Sequence, residues 1–308
     1  GIYVKIWDEY KTYLKDNYNI NFYYVPVGGG EGLSRLEAEK DAPKCDIFLS
    51  DPATLQQAAN KGLTDEIPWN QIPNRAKLLS PDLEGKYIGP VGNDIMGDMM
   101  YNYEKCDPEP SWMTYIDPKY QNKVSWHGFG SEGHAYMYAC LYKLFNGDEE
   151  KMFDYLTKLH KNGAVYFDRG PDVRGAVQSG DKWICPYYTA AVVHANMESK
   201  SPVKGKVPEY MAWCPDGYSL VKNRPDPEAS IELFNLMLDD YWQSKYSVGM
   251  IAMLSPNKNV AAPPGWQDIG FGGLTIDEAS KHTLNVDLGD LLSKMPAWDD
   301  RLKQIRSQ

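Results

Sequence analysis

GDKWICPYYTAAVVHANMES, residues 180–199, is the stretch from which the fold is read. Trp183, Ile184 and Cys185 predict a short buried strand, and Thr189 to Met197 predicts a helix carrying Ala190, Val193 and Met197 on one face. Tyr187 and Tyr188 then fall at a strand-to-helix turn. In open α/β sheets the crevice beyond the carboxyl ends of the strands receives ligands, and two phenols beside helix N–H groups suit a cation, an anion or a flat ring. With 22 Tyr in 308 residues, composition alone also produces adjacent pairs, and Tyr23–Tyr24 is a second one. The organisation around the pair must therefore decide its meaning.

Working outward, Tyr3, Ile6, Trp7, Tyr10 and Leu14 share a helical face, and the β-branched and aromatic run Ile20 to Val27 predicts a strand ending at Gly28, Gly29 and Gly30. Leu33 to Lys40 reads as helix. Cys45 to Leu49 is a short continuous apolar run of the kind buried on both faces, which implies a parallel sheet. Asp51-Pro52 supplies an N-cap and a first-turn proline for a helix ending near Gly62. Further on, Lys123 to Trp126 predicts a strand and His134 to Phe145 a helix. A second helix capped by Asp148 follows, then a strand from Ala164 to Phe167. Tyr210 to Cys214 and Tyr218 to Val221 are the last clear strands. Asp226-Pro227 caps what reads as the longest amphipathic helix, with Ile231, Phe234, Leu238 and Trp242 as its buried stripe.

The chain is long enough for two domains, and its 43% hydrophobic and 24% charged residues are ordinary for a globular protein. No apolar run approaches the ~18 residues of a membrane span. A formal charge of −10 and a pI near 5.1 leave no basic footprint for nucleic acid. Cys45, Cys106, Cys140, Cys185 and Cys214 show no metal-ligand spacing, so zinc and thioredoxin-like readings fail. Cys185 and Cys214 each precede a proline at a strand end and are the first pair to test for a disulfide, with two buried thiols as the alternative.

Gly128-Phe-Gly130-Ser-Glu-Gly133 matches G-x-G-x-x-G between a strand and a helix. A dinucleotide fold would place one helix before its next strand and an acidic residue about 20 positions on. Here two helices intervene and Asp168 lies 40 residues after Gly128. The motif retains a simpler use, with Ser131 as N-cap and backbone N–H groups free to receive an anion. No G-x-S-x-G, H-x-x-x-H or H-E-x-x-H occurs, so hydrolase and zinc-enzyme readings lack support. Arg169 and Arg174 flank Gly170-Pro171 just past a strand, where a guanidinium can clamp a carboxylate or phosphate.

The order of these features resembles the type II substrate-binding proteins of ABC importers, the group that includes ferric-iron, polyamine, thiamine and organophosphate binders. The resemblance covers nearly the whole chain. It rests on GLSRLEAEKDAPKCDIFLSDPATLQQAANKGL at 32–63, IDPKYQNKVSW at 116–126, VQSGDKWI at 177–184, PDGYSLVKNRPDPEASIELFNLMLDDYWQ at 215–243 and SPNKNV at 255–260. It implies a two-domain clamshell of mixed, mostly parallel sheets flanked by helices, joined by two hinge strands. Domain one is expected at 1–101 and 222–280, and domain two at 102–221 and 281–308. Members of the group open on a strand and a ligand-facing loop, whereas this sequence opens in a helix.

The resemblance also implies a non-catalytic, monomeric solute binder, periplasmic or lipid-anchored outside the membrane, whose protein partner is an ABC permease. In ferric-binding relatives an adjacent Tyr pair supplies phenolates, so the first expectation is Fe(III) as cargo on Tyr187 and Tyr188. Ser131 and the helix start would receive a synergistic anion, with Arg174 assisting. The other expectation is an organic solute. It would be a phosphonate or phosphate seated at Gly130 to Gly133, or a cationic amine or thiamine-like ring stacked on Trp126 and Tyr187 and paired with Asp168 or Glu132. Asp51, in the SDPATL stretch shared with the iron branch, completes the candidate ligand residues. An enzyme on the same fold is the alternative from another class.

Overall fold

The computed structural model describes residues 2–129 and 133–307, with the side chains of Ile2, Tyr3, Val4 and Leu288 outside that description. Its elements run α1 (Ile2–Tyr18), α2 (Gly29–Ala38), β1 (Ile47–Ser50), α3 (Pro52–Asn60), β2 (Gly89–Gly92), β3 (Ile95–Asn102) and β4 (Ser125–His127). There follow α4 (Gly133–Leu144), α5 (Glu149–Lys161), β5 (Val165–Phe167), α6 (Gly170–Gln178), β6 (Ile184–Tyr188), α7 (Thr189–Ser199), β7 (Val203–Lys204) and β8 (Met211–Trp213). The chain ends with β9 (Asp216–Leu220), α8 (Pro227–Met237), α9 (Asp240–Trp242), α10 (Ile276–Ser280), β10 (Thr283–Leu284) and α11 (Leu288–Arg306).

These elements form two compact α/β units. The first holds the chain up to Asn93 with Pro215–Pro263, and the second holds Asp94–Cys214 with the chain from Pro264 onward. The passages thus fall at 93/94, 214/215 and 263/264, earlier than the expected 101/102, 221/222 and 280/281. The ladders explain the placing of the first: β3 pairs with β6, β7 and β8 and belongs wholly to the second unit.

In the first unit β9 lies between β1 and β2 and runs antiparallel to both. One face of this sheet carries α1, whose Ile6, Trp7, Tyr10 and Leu14 are buried with Tyr218, Leu220, Phe234 and Trp242. Trp7 stacks on Trp242 with centroids 5.0 Å apart. Leu33 and Leu36 of α2 pack with Leu55 and Ala58 of α3 around Phe48 and Val221. The predicted strand Ile20–Val27 departs from expectation. Phe22 and Tyr24 pack on Trp7, while Tyr23 and Val25 are 79% and 64% exposed, yet no ladder forms there among the described residues. Alternation creates a buried face, but a strand also needs a backbone partner. The helix expected to reach Trp242 stops at Met237; Asp239 then caps a fresh turn through Trp242 N at 2.6 Å, and α11 is the longer helix.

In the second unit the sheet order is β10-β8-β3-β6, with β7 also on β3. All eight residues of β3 are buried. A parallel pair, β4–β5, continues beside β6 through a parallel bridge between Val124 and Ile184. The core gathers Trp112, Tyr115, Trp126, Tyr136 and Phe153, closed by Trp298 and Leu302 of α11. His134 Nε2 lies 2.8 Å from Asp299 Oδ1 and ties α4 to α11.

The ladders are mostly antiparallel where mostly parallel ones were expected. β3 and β9 follow directly on passages between units, without a crossover helix, and run against their neighbours. The parallel pairs arise where helices intervene: α4 and α5 between β4 and β5, and α10 before β10 joins β8. Cys185 is a free, fully buried thiol, so the Cys185–Cys214 bridge does not form and the alternative of two buried thiols holds. Cys45 and Cys106 are half-exposed thiols, one in each unit.

Candidate functional site

The second unit brings the carboxyl ends of β4, β5 and β6 together, since β4 is parallel to β5 and bridged in parallel to β6. Each end is followed by a helix: α4 from Gly133, α6 from Gly170 and α7 from Thr189. Helix starts carry partial positive charge and N–H groups without intrahelical acceptors, so a cluster of them favours an anion. Neither Arg169 nor Tyr188, the residues preceding α6 and α7, caps its helix with its own side chain.

Tyr187 and Tyr188 end β6, and α7 begins at the next residue with no intervening loop. Tyr187 is 4% exposed and Tyr188 half-buried. Their rings stand at 84° with centroids 5.4 Å apart. His127, at the end of β4, stacks on Tyr187 at 5.5 Å and meets the edge of Tyr188 at 6.2 Å. Its Nε2–H donates to Pro186 O at 3.2 Å, and burial pushes its imidazole down to about 3, so the ring is neutral at physiological pH. A Cβ on Gly170 would sit 3.3 Å from Tyr187 Oη, which places the phenol at the start of α6. A Cβ on Gly128 would lie 2.2 Å from Asp168 Oδ1, so the exposed Asp168 carboxylate crosses the end of β4 against Gly128.

Gly128, His127, Asp168, Gly170, Tyr187 and Tyr188 are therefore one neighbourhood. Gly130, Ser131 and Glu132 lie outside the described residues. Three candidates fall elsewhere: Trp126 and Arg174 in this unit, and Asp51 in the first. Trp126 is 2% exposed and meets Trp112 and Tyr115 edge-on, at 6.0 and 5.3 Å, so its faces serve the core and offer no ligand platform. The alternation of β4 turns Trp126 inward and presents its neighbour His127 at the ring cluster. Arg174 lies a turn inside α6, where its charge is felt by Cys185 and by His194 on α7. Burial first and Arg174 second hold His194 below its ordinary value.

In the first unit Asp51 is the cap of α3. Its Oδ1 accepts Ala53 N at 2.9 Å and Thr54 N at 3.1 Å, and its Oδ2 accepts Thr54 Oγ1 at 2.6 Å. Those bonds occupy the carboxylate that was expected to meet ligand. The start of α2 packs closely beside it: a Cβ on Gly29 would sit 2.9 Å from Ser50 Oγ and 3.1 Å from Thr54 Oγ1, both of which already donate to Asp51 Oδ2. Sequence reasoning singled out Gly28–Gly30 only as the end of a strand and missed Ser50, Thr54 and His127. A hydroxyl flanking a capped helix start was the available signal for the first two. Among the described residues no group of three His, Cys, Asp or Glu side chains is placed to hold a metal ion.

Comparison with known proteins fixes the family. The family described as "Bacterial extracellular solute-binding protein" matches residues 9–270. The chain belongs to that family. Among individual solute-binding relatives, the putative 2-aminoethylphosphonate-binding periplasmic protein of Salmonella typhi is 26% identical over 236 residues, covering 74% of this chain and 67% of the relative. The fold is that of the periplasmic binding protein AfuA from Actinobacillus pleuropneumoniae with exogenous fructose-6-phosphate bound, at TM-score 0.75 and 19% identity over 97% of this chain and 95% of that one. Iron-bound HitA from Pseudomonas aeruginosa aligns at TM-score 0.77 and 17% identity over 99% and 95%. Identities this low show the architecture alone. Among the described residues no helix of this solute-binding protein is long and apolar enough to cross a membrane.

Proposed function

We propose that this protein captures a small organic anion bearing a phosphonate or phosphate group and hands it, chemically unchanged, to the permease of an ABC importer outside the cytoplasmic membrane. The observation that carries the reading is the Tyr187 phenol standing at the uncapped start of α6, with α7 beginning directly after Tyr188 and its Ala190 N already held by Asp94. Backbone N–H groups and a phenol hydroxyl suit tetrahedral oxyanions, and Asp168 beside them suits an amine on the same solute. The name of the Salmonella relative agrees with this chemistry. Ferric ion is the second reading, favoured by the adjacent tyrosines at the end of β6. It is disfavoured by the positive ends of the helices and by the lack of a carboxylate or imidazole cluster among the described residues.

Titration calorimetry with 2-aminoethylphosphonate, alongside ferric citrate followed by visible absorption, separates the two. Saturable heat with the phosphonate and no phenolate-to-iron band is the expected result, and Tyr187→Phe should weaken binding about tenfold, the worth of one hydrogen bond to a charged group. A visible band with iron and no heat with the phosphonate would move the assignment to the metal. The protein is expected to work as a monomer throughout, which sedimentation checks.

A further inference from the structure

The antiparallel register that sets Asp98 against Tyr187 and Met96 against Tyr188 continues past the end of the ladder. It carries Asp94 to the first turn of α7. There Asp94 Oδ1 accepts Ala190 N at 2.9 Å and Ile95 N at 2.7 Å. Ala190 N is one of the first-turn donors that a helix cannot satisfy internally, and Tyr188 does not cap it. Asp94 thus caps α7 from a different element. It is also the first residue of the second unit, and its carbonyl accepts Cys214 N, the last residue before the chain returns to the first unit, at 2.9 Å. One buried residue, 5% exposed, is therefore bonded to the start of β3, to the segment following β8 and to the helix that begins directly after the tyrosines.

We propose that Asp94 is the positioning residue of the Tyr187–Tyr188 turn: from the passage strand it holds the start of α7, and through α7 it sets where the two phenols stand. The inference rests on the reading of that turn as ligand-binding. Among the described residues the charged group that feels Asp94 is Asp98 on the same strand, while the first turn of α7, Thr189 to Val192, brings no titratable side chain. Burial raises the Asp94 carboxyl to about 7 in spite of its two N–H donors, so its charge, and with it the strength of the cap, changes near neutrality.

The test uses Asp94→Ala, which removes the acceptor, and Asp94→Asn, which keeps an acceptor oxygen but does not ionise. Hydrogen exchange of the apo proteins should show the Ala190 segment exchanging at least tenfold faster in Asp94→Ala, with Asp94→Asn restoring most of the protection. Affinity for 2-aminoethylphosphonate should fall at least tenfold in Asp94→Ala and be largely rescued in Asp94→Asn. The melting temperature of Asp94→Asn relative to the parent should climb as pH rises from 5.5 to 8. Unchanged exchange at Ala190, or parental affinity in Asp94→Ala, overturns the proposal. Should Asp94→Ala not fold, a melting-temperature difference between Asp94→Asn and the parent that ignores pH overturns it instead. A parent that binds no phosphonate sinks the functional reading alone, because the exchange measurement then decides the role of Asp94 by itself.

Discussion

His127 and Asp94 are displaced in opposite senses by the same cause, burial within one unit. His127 binds its proton less readily folded than unfolded, so between about 6.5 and about 3 the unfolded chain holds more protons and stability falls as pH falls. Asp94 binds its proton more readily folded, so from its ordinary 3.8 up to about 7 stability falls as pH rises. Each contribution is on the order of 4 kcal/mol at full extent, and they offset one another across the shared window. Denaturant midpoints between pH 4.5 and 7.5 should therefore vary little in the parent. Asp94→Asn should become acid-labile below pH 6.5, and His127→Phe should gain stability on acidification. A parent-like profile in both variants would contradict the assignment. The tyrosines were legible in the sequence because a Tyr pair between an apolar run and a helical face has few places to lie. Asp94 was not, since its partner at Ala190 appears only once the register of β3 on β6 is known. Trp126 and His127 are both buried neighbours, and which of them meets the core rings and which meets Tyr187 depends on a register that composition does not carry.

At the scale of elements, helix starts were the most readable features. Asp51-Pro52, Asp148 and Asp226-Pro227 all cap the helices read from them. Asp51 is the most heavily bonded of these caps, with two backbone donors and the hydroxyls of Ser50 and Thr54. Asp51→Ala should cost about 1–2 kcal/mol in an equilibrium unfolding measurement. It should leave phosphonate affinity within threefold, because the carboxylate is spent on α3. A tenfold loss of affinity at unchanged stability would instead return Asp51 to the ligand residues. Strands were harder to read. β3 carries Gly97 at φ +103°, where a Cβ would be 3.3 Å from Trp112, and the register shifts at that point. Nothing in the local sequence distinguishes that irregularity from an ordinary loop glycine. Ladder direction was misjudged because a short apolar run says that a strand is buried, not which way its neighbours run.

For the whole molecule the decisive quantity is the formal charge of −10. An acidic protein repels an anionic solute at long range even when local helix starts attract it, and salt screens the long-range part over about 8–10 Å. Association of 2-aminoethylphosphonate should therefore speed up modestly as ionic strength rises from 20 to 200 mM in stopped-flow measurements, by about twofold. Ligand at a hundredfold excess over its dissociation constant should stabilise the second unit, which carries the tyrosine pair, by about 2.7 kcal/mol. The division into units has a further, practical use. Cys45 in the first unit and Cys106 in the second are the half-exposed thiols, while Cys140 and Cys185 are fully buried. Burial raises both half-exposed thiols, that of Cys106 to about 11, so maleimide dyes will attach slowly near neutrality and faster at pH 8.5. The unmodified chain thus carries one dye anchor per unit, so the fluorescence of either label can follow the unfolding of its own unit without any substitution.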